Sequence, residues 1–154
     1  MTADPDGSST MQARPGAAGV PRRACWMTLP AAERAAGLAR RATRKTLDAW
    51  AAGYLEETAT LLVSELVANA VRHARTGRSP LELRLEITRN WLRIEVLDAD
   101  PRPPQPRIPA ELDESGRGFV LIEALSDKWG VCSTPSGKAV WAELDICRDR
   151  EARI

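Results

Sequence analysis

Apolar residues recur at helical spacing between positions 59 and 74, where Ala59, Leu62, Val63, Leu66, Val67, Ala70, Val71 and Ala74 form an i, i+3, i+4, i+7 stripe. Such a stripe is what a helix needs to lie on a core. The other side of the same segment carries Glu65, Asn69 and His73, four residues apart. Residues at that spacing drift by only about 40° per step, so the three side chains make one polar line. The helix is expected to end near Gly77. An earlier helix is predicted over 31–50, with Ala35, Leu38, Ala39, Ala42, Ala49 and Trp50 on one side, Arg34, Arg40, Arg41 and Arg44 turned away, and Gly53 as its stop.

The period then changes to two. Leu81, Leu83, Leu85 and Ile87 alternate with Glu82, Arg84, Glu86 and Thr88, the pattern of a half-buried strand. Arg89-Asn90 reads as a tight turn, and in the next strand Leu92, Ile94 and Val96 share a face whose parity carries Asp98 inward. A short first strand over 22–29, a short helix over 119–126, and two final strands over 128–133 and 138–146 complete the elements. Pro101, Pro103, Pro104, Pro106 and Pro109 exclude regular structure, so residues 99–115 form a long loop of the kind used as a functional lid. Helices and antiparallel-type strands in mixed order, ending in a hairpin-like pair, predict a two-layer α+β sandwich: a mainly antiparallel sheet with helices on one face.

A chain of 154 residues fits one domain, expected over 22–146 between a disordered tail at 1–21 and a short C-terminal tail at 147–154. With 22 basic against 21 acidic residues there is no global field for nucleic acid, and the run Arg40, Arg41, Arg44, Lys45 reads as a solvated helix face. Cys25, Cys132 and Cys147 are odd in number and lack CxxC spacing, which argues against a disulfide framework or zinc site and fits a reducing cytoplasm. No stretch resembles a signal peptide or reaches the roughly 20 apolar residues of a membrane span.

A carboxylate and an amide one helical turn apart suit phosphoryl transfer, Glu65 as a proton acceptor and Asn69 as a carbonyl ligand to magnesium; they equally suit a solvated helix face. Asp98, directed inward, needs a donor, which an adenine amine or a neighbouring backbone or Arg group would supply. Gly116 and Gly118 allow a close backbone approach to phosphates where a helix begins, or simply a turn. The absence of a Walker A motif means that any nucleotide site here uses another fold.

The joint order of these residues resembles the GHKL (Bergerat-fold) ATPases, and within them the bacterial anti-sigma regulatory serine/threonine kinases of actinobacterial type. SELVANAVRHA, residues 64–74, is similar to the family's N-box, which would make Glu65 the catalytic base, Asn69 the magnesium ligand and His73 a nucleotide contact. Asp98 matches the G1-box aspartate that reads adenine. Ser115-Gly116-Arg117-Gly118-Phe119 looks like the G2 box that closes the ATP lid on the phosphates, and Gly137-Lys138-Ala139-Val140-Trp141 resembles the final Gly-Thr element on a strand beside Asp98. Ala99, Asp100 and Pro101 replace the usual glycines after Asp98, implying a stiffer hinge, and Ala139 stands where a threonine hydroxyl often holds the adenine-bridging water. The resemblance implies ATP and Mg2+ as cofactors, a STAS-domain anti-anti-sigma protein or a sigma factor as partner, and a homodimer; the charge balance and hydropathy above add the expectation of neither direct nucleic-acid binding nor membrane attachment. The alternative is a non-catalytic ATP-binding interaction module.

Overall fold

The computed structural model describes residues 23–73, 79–98, 119–135 and 137–147. The tail at 1–21, the proline-rich loop at 99–115, Ala74, Gly77, Gly116, Arg117, Gly118 and residues 148–154 of the C-terminal tail lie outside the described residues. In chain order the elements are β1 (Arg23–Leu29), α1 (Ala35–Ala49), a 3-10 turn (Gly53–Leu55), α2 (Glu56–His73), β2 (Leu81–Ile87), β3 (Trp91–Asp98), α3 (residues 119–125), β4 (Lys128–Thr134) and β5 (Gly137–Asp145). Among the described residues no helix is long and apolar enough to cross a membrane.

The five strands form one sheet in the order β1-β2-β3-β5-β4, and every neighbouring pair is antiparallel. Alternation sets its two faces. Leu83 stands opposite Val96, Leu85 opposite Ile94, and Ile94 opposite Ala142, so Leu, Ile and Val side chains from three adjacent strands share one side. Those residues join Leu62, Val63, Leu66 and Val67 of α2 and Leu47 of α1 in a single core. The tight turn at Arg89-Asn90 is held by Thr88, whose Oγ1 accepts from the amides of Asn90 at 3.2 Å and Trp91 at 2.9 Å.

Four details of α1 depart from the sequence expectation. The helix begins at Ala35, residues 31–34 form a turn, and Arg34 at the N-cap supplies no side-chain acceptor. Its end, with Trp50 as C-cap, falls where expected, but Gly53 does not make the stop. Ala52 N–H donates to Leu47 O at 2.8 Å and Ala51 N–H to Asp48 O at 3.0 Å, closing the helix with Ala51 in the left-handed region at φ 55. The buried stripe is Ala35, Ala39, Thr43 and Leu47. Thr43 fits because its hydroxyl donates to Ala39 O at 2.8 Å. Arg40, expected in solvent, is half-buried and donates to Ser64 Oγ at 3.1 Å, tying α1 to α2.

The sheet's other face departs from the pattern of a wet, polar surface. Arg93 and Glu143, cross-strand partners on β3 and β5, are both buried and joined at 2.8 Å between Nη1 and Oε1. Arg93 also lies 4.3 Å above the ring of buried Trp141, and Arg84 lies 5.4 Å from the ring of Trp26. Large side chains on adjacent strands thus cover one another. Gly130, opposite Trp141 in the β4–β5 register, leaves room for the indole: a Cβ there would stand 2.7 Å from Trp141 Cζ2. Gly130→Ala should therefore cost about 1–3 kcal/mol by overpacking. Urea unfolding of wild type, Gly130→Ala and Gly130→Ala with Trp141→Leu checks this; equal midpoints for wild type and Gly130→Ala would show that the indole is not confined.

Candidate functional site

Because α2 must turn Leu62, Val63, Leu66 and Val67 toward the sheet, Glu65 and Asn69 fall on its flank, where exposure varies along the polar line. Glu65 and His73 are half-buried, but Asn69 is only 2% exposed. Its carbonyl Oδ1 accepts a hydrogen bond from an Arg72 guanidinium N–H, and its Nδ2 is buried without a hydrogen-bond partner among the described residues. A buried primary amide with an unmade donor normally costs free energy, so such a group merits a ligand-based explanation.

The helix packs against β3, whose last residue is Asp98, 6% exposed and on the same sheet face as Leu92, Ile94 and Val96. Leu81 faces Asp98 across β2–β3, and residues 74–80 connect Leu81 back to His73 at the end of α2. Lys138 faces Asp98 across β3–β5, so Gly137–Val140 does run beside the aspartate. Parity corrects one expectation. Lys138, Val140, Ala142 and Leu144 occupy the helix-facing side, with Val140, Ala142 and Leu144 in its core, whereas Ala139 points to the opposite face with Trp141. The missing Ala139 hydroxyl is therefore not on the face of Asp98, and Lys138 is the residue that sequence reasoning passed over there.

Phe119, expected in a phosphate-closing element, is half-buried at the start of α3 and packs on Trp129 of β4 with ring centroids 5.2 Å apart. It anchors α3 to the sheet. Gly116, Arg117 and Gly118 lie outside the described residues, so the structure brings together α2 and Asp98 but does not place the G2 segment. A cleft of about 650 Å³, bordered by Arg23, Trp50, Tyr54, Arg89 and Cys147, lies beside the β2–β3 turn, at the end of β3 away from Asp98.

The donor set fits a magnesium nucleotide. Among the described residues no group of three His, Cys, Asp or Glu side chains could hold a metal ion. A single buried amide oxygen that already attracts a cation suits an ion that takes most of its ligands from phosphates and water. Arg72, three residues beyond Asn69 and so on the same helix face, was the legible but unread member of this group.

Two comparisons bear on this arrangement. The family model of the histidine kinase-like ATPase domain matches residues 29–144, which takes in all three helices, β2, β3, β4, β5 up to Leu144, only Leu29 of β1, and every candidate residue. The uncharacterized protein SCO4941 of Streptomyces coelicolor (strain ATCC BAA-471 / A3(2) / M145) is 34% identical over 85 residues, 53% of this chain and 79% of that protein.

If Asn69 is kept for a ligand and Leu66 for the core, truncating them should have unequal effects on stability. Leu66→Ala is expected to cost about 2–5 kcal/mol, Asn69→Ala less than about 1 kcal/mol. Chemical denaturation without nucleotide or metal checks this, and a loss at Asn69 as large as that at Leu66 would mark the amide as structural.

Proposed function

The chain belongs to the family of histidine kinase-like ATPase domains, and from that premise we propose that it is a magnesium-ATP-dependent anti-sigma regulatory serine/threonine kinase that switches partners in transcription control. An ATPase domain of this type implies ATP binding. The observation that carries the finer reading is the pairing on α2 of a half-buried Glu65 with a fully desolvated Asn69 one turn later. A solvated helix face would not bury an amide with its nitrogen unpartnered.

Each residue then has a chemical task. Glu65 takes the proton of the attacking hydroxyl of a partner serine or threonine. Asn69 offers its carbonyl oxygen to magnesium, and the bound ion supplies neutralisation of the phosphate charge that builds during transfer. Asp98 accepts from the adenine exocyclic amine, in a desolvated position where such a bond discriminates well. His73 adds a nucleotide contact, and the backbone of Gly116, Arg117, Gly118 and Phe119 closes on the phosphates. The partners would be a STAS-domain anti-anti-sigma protein and a sigma factor, met by a cytoplasmic homodimer that touches neither nucleic acid nor membrane directly. One feature of the sequence favours a second reading, an ATP-gated interaction module that moves no phosphate: Ala99, Asp100 and Pro101 stand after Asp98 where the resemblance would have glycines.

Incubation of the full chain with magnesium, γ-labelled ATP and candidate STAS-domain partners tests the kinase, with label on a partner serine or threonine as the expected result. Glu65→Gln should lower that transfer by about 10²- to 10⁴-fold while leaving nucleotide affinity nearly unchanged. Nucleotide-dependent partner binding in the absence of any transfer by wild type would replace the kinase with the interaction module. Asp98→Ala should weaken ATP by about 10- to 150-fold and erode selectivity over GTP, measured by calorimetry; unchanged affinity in a folded variant removes Asp98 from the adenine site.

A further inference from the structure

The Asn69 carbonyl that the proposed metal would use is engaged by the guanidinium of Arg72. We propose that Arg72 is a built-in stand-in for the metal, a positioning residue that holds Asn69 Oδ1 while the site is empty of cation and must release it for magnesium nucleotide to load. This rests on the magnesium-ATP reading of the site and assigns to it a regulatory residue.

Three observations combine. Asn69 is 2% exposed, so little water reaches its oxygen when Arg72 is elsewhere, and the oxygen is always better served by one cation or another. Its Nδ2 has no partner among the described residues, so the amide's orientation there is set by what the oxygen faces and not by a bond on the other side. Arg72, by contrast, is exposed, so its guanidinium exchanges this contact for water at little cost. The asymmetry makes release easy for the arginine and re-engagement compulsory for the amide. A guanidinium and a dication cannot both sit on one carbonyl oxygen, because like charges at such separation repel strongly in a desolvated setting. Arg72 therefore competes with the metal, and the competition raises the metal concentration needed for loading above that of an unguarded asparagine. The spacing enforces the pairing, since residues three apart share a helix face.

The experiment uses the full chain as wild type, Arg72→Ala, Arg72→Lys and Asn69→Ala, each checked for fold by circular dichroism. Calorimetry follows ADP binding against magnesium concentration, and the side-chain amide resonance of Asn69 is followed by NMR without nucleotide. Arg72→Ala should lower the magnesium concentration for half-effect by about 3- to 10-fold and shift the free Asn69 amide signal. Arg72→Lys, which keeps a cation on the same face, should stay closer to wild type. Equal half-effect concentrations and an unmoved amide signal in Arg72→Ala, with magnesium dependence present in wild type and absent in Asn69→Ala, would overturn the role of Arg72 and leave the site intact. If wild type binds ADP without regard to magnesium, or Asn69→Ala matches wild type, the magnesium site and the stand-in fall together.

Discussion

Everything at the site depends on how α2 lies on β3. The helix can bury Leu62, Val63, Leu66 and Val67 only by facing them to Leu92, Ile94 and Val96, and that contact leaves one flank position desolvated at the margin of the core. Asn69 occupies it. The same sheet face ends in Asp98, placed inward by the parity that buries Val96 two residues earlier. A hydrophobic requirement thus positions two polar groups, and neither could be moved by one residue without turning an apolar side chain into solvent. Because α2 and β3 sit mid-domain, with β2 and β5 on either side of the strand, the two polar groups rest on rigid elements.

The opposite sheet face solves a different problem with charged residues. Glu143 and Arg93 are buried where no described helix covers them, and a buried ion pair is weak evidence of stabilisation because desolvation offsets most of its attraction. Geometry makes it tolerable here. The 2.8 Å pairing, the Trp141 ring beneath the guanidinium and the second carboxylate of Glu95 at 3.8 Å spread the charge over several neighbours. Gly130 completes the arrangement by vacating the space that Trp141 fills. Strand register, not hydrophobicity, is what this face specifies: a slip of one residue in β5 would separate Arg93 from Glu143 and press the indole into a side chain.

Much of this was legible in the chain, and the failures are physical. The period of 3.6 around Leu62 and Leu66 and the period of two through Leu83 and Ile94 located α2, β2 and β3 closely, since both patterns are imposed by burial on one side. The start of α1 and the residue that closes it were misjudged, though its end was not, because caps are set by single backbone bonds: Ala51 took the left-handed position that Gly53 was expected to serve. The burial of Arg93, Glu95 and Glu143 was not anticipated, because periodicity reports polarity but not whether long neighbours cover it. At the candidate site, spacing and parity singled out Glu65, Asn69 and Asp98 and the resemblance gave them roles, whereas Arg72 drew no reading at all. Lys138 was missed because β5 parity could be counted only once its register with β3 was known.

The half-satisfied amide ties these threads to function. A sequence selected only for stability would place an apolar residue at the position of Asn69, since it lies within a turn of Leu66 and is almost wholly desolvated. Keeping an amide there concedes free energy in the empty state, and Arg72 recovers part of it by satisfying the oxygen while leaving the nitrogen unpartnered. The residual cost favours any ligand that serves the group more fully. A site built this way is preorganised, because the core has already fixed the helix, and the proposed release of Arg72 would ask, among the described residues, only for movement of an exposed side chain with water ready to receive it.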